Sequence, residues 1–99
     1  MKEDMEGLTL HGIYQHYKNP EHLYKVLGTV LNSKTREVMV MYRQLYDGES
    51  SRGTKWVESK KIFLENIVVN RNLVPRFKFI GTKMPFSKEE RKNRINSSR

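Results

Sequence analysis

The most regular hydrophobic pattern in the chain runs from Glu37 to Tyr46. Val38, Val40 and Tyr42 fall on one side of it, and Met39, Met41 and Arg43 on the other. Side chains alternate across a strand, so this spacing predicts a β-strand. Apolar residues on both sides near its centre predict a central strand in a curved sheet or small barrel. Leu23–Leu31 is rich in Val, Leu and Tyr and predicts a second strand, with Gly28 marking a bulge or a close backbone approach. The polar stretch Asn32–Thr35 between them predicts a hairpin turn, because short side-chain oxygens hydrogen-bond the local backbone. Leu10–Lys18 alternates more loosely, with Ile13, Gln15 and Tyr17 on one side and Tyr14, His16 and Lys18 on the other. Asn19-Pro20 is expected to end it, since proline has no N–H for a ladder.

Downstream, Asp47–Gly53 reads as a Gly- and Ser-rich loop, and Thr54–Val57 as a short strand around Trp56, a lone tryptophan expected in the core. Ser59–Leu64 predicts one helical turn capped by Ser59. Ile67–Val69 is extended, Asn70–Asn72 a tight turn, and Val74–Ile80 a closing strand with Pro75 near its start or on an edge. The fold class is mainly β: a single small, strongly curved antiparallel sheet or SH3-like barrel with one short helical turn. Beyond Gly81 the character changes. Ser87 and Glu90 have capping-box spacing, but residues 89–94 have no apolar face to hold a helix by packing. The expected organisation is an acidic N-terminus at 1–7, a β domain at 8–80 and a basic tail at 81–99, frayed helix or disordered.

Composition narrows the classes. Ninety-nine residues with 36% hydrophobic and 30% charged residues make one domain with a thin core. No run approaches the roughly 20 apolar residues that a bilayer span needs, so no membrane partner is expected. The opening MKEDMEGLTL is acidic and lacks an apolar run, which predicts a cytoplasmic location. There is no cysteine, which removes disulfides, thiolate metal sites and cysteine nucleophiles. His11, His16 and His22 are spaced by five and six and form no convergent ligand set, so no metal and no cofactor is expected. The net charge is +8, and residues 8–80 hold twelve basic against six acidic groups, or +6. The domain itself is therefore basic and attracts phosphates.

The stretch Tyr14-Gln15-His16-Tyr17-Lys18 concentrates candidate chemistry. If Tyr14, His16 and Lys18 share a face, they offer a ring, a titratable donor and a cation together. Tyr42 with Arg43, and Arg76 beside Phe77, repeat the combination in other strand segments. Aromatic rings beside cations suit a base and its phosphate, and stacking contributes about 1–3 kcal/mol per base. The candidate ligand-binding residues are thus Tyr14, His16, Lys18, Tyr42, Arg43 and Arg76. Cross-strand Tyr–Lys and Tyr–Arg pairs also stabilise small sheets with no ligand at all.

The same residues carry a resemblance. Y-x-H-Y-K at 14–18, Tyr24-Lys25-Val26-Leu27-Gly28, Ser33 and Thr35, Val40-Met41-Tyr42-Arg43 with Leu45-Tyr46, Trp56, Phe63-Leu64-Glu65 and Val74-Pro75-Arg76-Phe77 follow one another in order. The series resembles a small, mainly bacterial and phage family, domain of unknown function 1653, over roughly residues 12–80. The ordered series carries the resemblance, not any one motif. The family's Arg-Pro pair after the tryptophan is replaced here by Val57-Glu58-Ser59, and its acidic residue between Ser33 and Thr35 by Lys34. The resemblance implies the size and boundaries of the domain and no particular activity.

The residues point to a non-catalytic binding module for a phosphorylated ligand, nucleic acid or nucleotide, held by electrostatic capture and aromatic stacking on one sheet face. One alternative is a protein-interaction adaptor or phage or bacterial accessory protein, including a nucleotide sponge. Another is a small phosphodiesterase-like enzyme with His16 as base. The chain is expected to be a monomer or a homodimer.

Overall fold

The computed structural model describes residues 3–84. The expected capping box at Ser87–Glu90 and nearly all of the basic tail lie outside them. A 3₁₀ turn at Glu3–Met5 is followed by β1 (Ile13–His16), β2 (Asn19–Leu31), β3 (Val38–Gln44), β4 (Lys55–Ser59), α1 (Lys60–Phe63), β5 (Asn66–Val69), β6 (Asn72–Pro75) and β7 (Phe77–Gly81). The first four strands and β7 form an antiparallel sheet in the order β4-β3-β2-β1-β7, and β5 and β6 form a separate hairpin. No helix among the described residues is long and apolar enough to cross a membrane.

The β2–β3 hairpin forms where the pattern predicts. Asn32 Oδ1 accepts from the N–H groups of Lys34 (2.9 Å) and Thr35 (3.2 Å), which closes the turn. The ladder slips between Val26 and Gly28, and Gly28 has φ +150°, so the glycine does mark a bulge. β3 is central, between β2 and β4. Ser59 caps α1: its Oγ accepts from the Ile62 N–H at 3.4 Å and donates to Glu37 Oε2 at 2.8 Å.

Four expectations change. The first strand ends at His16, and Asn19-Pro20, expected to break it, open β2 instead. Among the described residues the sheet stays open, with β4 and β7 at its edges, so they form no closed barrel. The closing strand expected at 74–80 is two strands in two sheets. Pro75 has no N–H to continue its ladder. Arg76 then donates its N–H to the Glu65 carbonyl (2.9 Å), while its carbonyl accepts from the Tyr17 N–H (3.1 Å). The chain thereby steps from hairpin to sheet at Arg76. Trp56 is 41% exposed rather than core, because β4 is an edge strand; its indole N–H donates to Gln44 Oε1 at 3.0 Å.

The core lies on the sheet face that Tyr14, Val26, Val40 and Tyr42 share. Phe63, the buried end of α1, closes it, stacked on Phe77 with centroids 4.2 Å apart. Met5 and Leu8 pack against the same cluster. Burial of a large ring contributes about 1.5–3 kcal/mol, so a four-residue helix too short to persist alone is held by one phenylalanine.

Candidate functional site

β1 lies between β2 and β7, and that neighbourhood decides the fate of Tyr14-Gln15-His16-Tyr17-Lys18. Tyr14 is 3% exposed. Its ring meets Phe63 edge-on at 5.3 Å and Phe79 at 5.5 Å, and its hydroxyl accepts from the Thr9 N–H at 3.0 Å. A ring enclosed in this way has no face left for a ligand, so Tyr14 is a core residue and not a stacking platform. Lys18, by contrast, is not on the strand. β1 ends at His16, which pairs with Asn19 across the two-residue turn Tyr17–Lys18.

His16 is half-buried at the end of β1, edge-on to Phe77 at 5.2 Å and tilted against Tyr17 at 4.8 Å. Burial holds its pKa below the ordinary histidine value, and the cations Arg76 and Lys18, with the His22 ring, push in the same direction. Its Nδ1 lies 3.2 Å from the Lys18 N–H, which assigns Nδ1 as acceptor and leaves the proton of the neutral ring on Nε2. His16 is therefore a hydrogen-bond donor set in a locally positive field.

Beside it a groove of about 480 Å³ opens between the end of β1 and the β5–β6 hairpin. Gln15, His16, Tyr17 and Pro20 line one side, and Val69, Asn70, Asn72, Val74 and Pro75 the other, with Lys78 of β7. The volume falls within the range of about 300–1,000 Å³ usual for small-ligand sites. The groove offers an aromatic ring at Tyr17, a donor at His16, amides at Gln15, Asn70 and Asn72, a cation at Lys78 and apolar walls. Lys18 Nζ stands 5.9 Å from the centre of the Tyr17 ring. Arg76, adjoining the groove through Pro75, pairs through Nη2 with Glu65 Oε1 at 2.8 Å, and its buried Nε has no partner.

A second group of rings lies along the core face. His22 stacks on Tyr46 at 3.9 Å, and the Tyr24 and Tyr46 hydroxyls share a 2.7 Å hydrogen bond. Tyr42 packs against Tyr24, Phe63 and Phe77. Burial pushes the Tyr42 phenol up to about 12, helped by Glu58 and Tyr46. Burial, and then the hydrogen bond to Tyr46, raise Tyr24 further. Both phenols are neutral at physiological pH. Tyr42 thus serves this ring cluster, and Arg43, next to it in sequence, projects from the opposite side of the sheet.

Of the six residues named from the sequence, only His16, Lys18 and Arg76 come together. Sequence reasoning missed Gln15, Tyr17, Lys78, Asn70 and Asn72. The alternation puts Tyr17 on the other side of the strand, but β1 ends one residue earlier, at His16. Lys78 is brought in by the β1–β7 pairing, Gln15 opposite Lys78, which no local pattern announces. Among the described residues, no group of three His, Asp or Glu side chains could hold a metal ion.

Residues 12–79 match the family described as protein of unknown function (DUF1653). Among solved structures, the chain is similar to the crystal structure of a DUF1653 protein from Bordetella bronchiseptica. The two are 28% identical with a TM-score of 0.70, covering 83% of this chain and 99% of the other. No curated protein matches the chain.

Proposed function

We propose that this chain, which belongs to the DUF1653 family, is a non-catalytic binding module for a phosphorylated ligand with a planar ring, such as a nucleotide or a nucleotide unit of a nucleic acid. The groove beside His16 carries the reading. The Tyr17 ring supplies a stacking face, the amides of Gln15, Asn70 and Asn72 suit the edge of a base, and Lys78 suits a phosphate. His16 adds a donor, and the positive charges of Arg76 and Lys18 that disfavour its protonation favour an anion nearby. The lone pair on Nδ1 is engaged by the Lys18 N–H, so the ring is set up to donate rather than to act as the base of a phosphodiesterase.

A thermal-shift screen with nucleoside monophosphates and cyclic dinucleotides at low salt tests this. A ligand at a hundred times its Kd stabilises by about 2.7 kcal/mol, several degrees for a domain of this size. Tyr17→Ala and Lys78→Gln are expected to abolish the shift, and Tyr14→Phe to keep it. No shift with any of these phosphates overturns the reading. A protein adaptor is the second reading, supported by Val68 and Leu73. They face each other across the β5–β6 hairpin at 69% and 72% exposure. A partner docking there would bind with little dependence on salt and lose affinity on Leu73→Ser.

A further inference from the structure

The face of the five-stranded sheet turned away from Phe63 carries a charge pattern that the groove does not explain. Lys25 stands directly opposite Arg43, and Arg43 directly opposite Lys55. Strand alternation sets all three on the side opposite Val26, Tyr42 and Trp56. Neighbouring strands lie about 4.8 Å apart, so the three backbone positions fall within about 10 Å. Like charges directly opposite each other weaken a sheet. None of the three has an ion-pair partner among the described residues. An arrangement that works against the sheet and is left uncompensated is what an external anion would stabilise.

Two neighbours narrow the anion. The next pair on this face is Met41 opposite Val57, and Val57 is 55% exposed, so an apolar strip runs beside the cations. Lys78 lies on the same face, opposite Gln15, which is itself opposite Leu23. Lys78 also lines the groove, and Ile13, Gln15 and Leu23 lie between it and the Lys25 end of the cation row on this face. A single nucleic-acid strand presents phosphates and unstacked bases side by side, whereas a duplex keeps its bases inside. The cation row with its apolar margin matches the single strand.

We propose that this face is a second subsite, on which Lys25, Arg43 and Lys55 hold the backbone phosphates of a single-stranded nucleic acid and Met41 and Val57 meet its bases. One nucleotide of that strand would occupy the groove, and this last point alone rests on the function proposed above. The test is fluorescence anisotropy with labelled twelve-residue oligo-dT and oligo-U over a series of KCl concentrations. The variant Lys25→Gln/Arg43→Gln/Lys55→Gln is expected to bind at least tenfold more weakly at 50 mM KCl. Loss of three phosphate contacts to a single strand should flatten the slope of log K against log[KCl] by about 2. The mononucleotide thermal shift should persist in this variant, and its melting temperature should not fall, since it removes like-charge contacts. The single variant Lys55→Gln, on the exposed edge strand, should flatten the slope by about 0.7. Wild-type affinity and slope in both variants overturn the proposal. So does equal or tighter binding of a twelve-base-pair duplex, polyglutamate or phosphatidylserine vesicles. A failed groove is distinguishable: mononucleotides give no shift, yet the row variants still lose the oligomer.

Discussion

At the scale of single residues, His16 shows how placement sets chemistry. Folding takes its ring out of water and beside positive charge, so its folded pKa lies below the unfolded value near 6.5. The neutral form is favoured by folding. The associated stability is present above pH 6.5 and is lost as the pH falls through that value toward the lower folded pKa. Melting temperatures of the wild type should therefore drop more steeply between pH 7.5 and 5 than those of His16→Gln. The difference between the two profiles isolates His16 from the carboxylates, which titrate in both. Parallel profiles would mean that the imidazole is solvated as freely in the fold as out of it. Tyr14 illustrates the converse: two residues earlier, the same strand buries an aromatic ring so completely that its hydroxyl serves only the Thr9 N–H.

At the scale of elements, the β5–β6 hairpin forms one wall of the groove and is held in an unusual way. Its loop is Asn70-Arg71, with φ values of +51° and +68°, and a two-residue hairpin loop with positive φ at both positions is a type I′ turn. Asparagine tolerates that conformation, but arginine does not favour it, since a side chain in the left-handed region is disfavoured by about 1–2 kcal/mol. Arg71→Gly should therefore raise stability by roughly 1 kcal/mol, the steric relief being partly offset by the greater backbone freedom of glycine when unfolded. Urea unfolding would measure it. The wall of the groove should keep its shape, so the mononucleotide shift should survive. A destabilised Arg71→Gly would show that the arginine side chain supports the hairpin by a contact worth more than its strain. The hairpin also shows where reading by elements stops. Ile67–Val69, the turn and the extended segment after it were all legible, yet the partition of 74–80 between two sheets depends on Glu65 and Tyr17 capturing the Arg76 backbone.

At the scale of the whole molecule, charge is the dominant property. Residues 8–80 carry a net charge of +6, and three of those cations stand in a row without acidic partners among the described residues. Self-repulsion of this kind is screened by salt, with a Debye length of about 10 Å at 0.1 M. The melting temperature of the ligand-free protein should rise between 20 and 200 mM KCl. The rise should shrink in Lys25→Gln/Arg43→Gln/Lys55→Gln, and scanning fluorimetry of both proteins reads it directly. A melting temperature that falls with salt would mean that attractive pairs such as Arg76–Glu65 outweigh the repulsion.

The sequence by itself determined what depends on neighbours along the chain. The alternation at Val38–Arg43, the oxygen-rich turn after Leu31, the bulge glycine at Gly28 and the Ser59 cap are each satisfied within a few residues, and each forms as its pattern predicts. The family resemblance, too, was legible, because it rests on an ordered series of residues spread over the domain. Only the tertiary structure decided which face of β1 is the inside. Strand periodicity is symmetric: it places Tyr14 and His16 on one side without saying whether that side meets Phe63 or water. Only the structure set Lys78 beside Gln15 and lined up Lys25, Arg43 and Lys55. Those relations belong to register between strands distant in sequence, and register is fixed by packing the two sheet faces against what covers them.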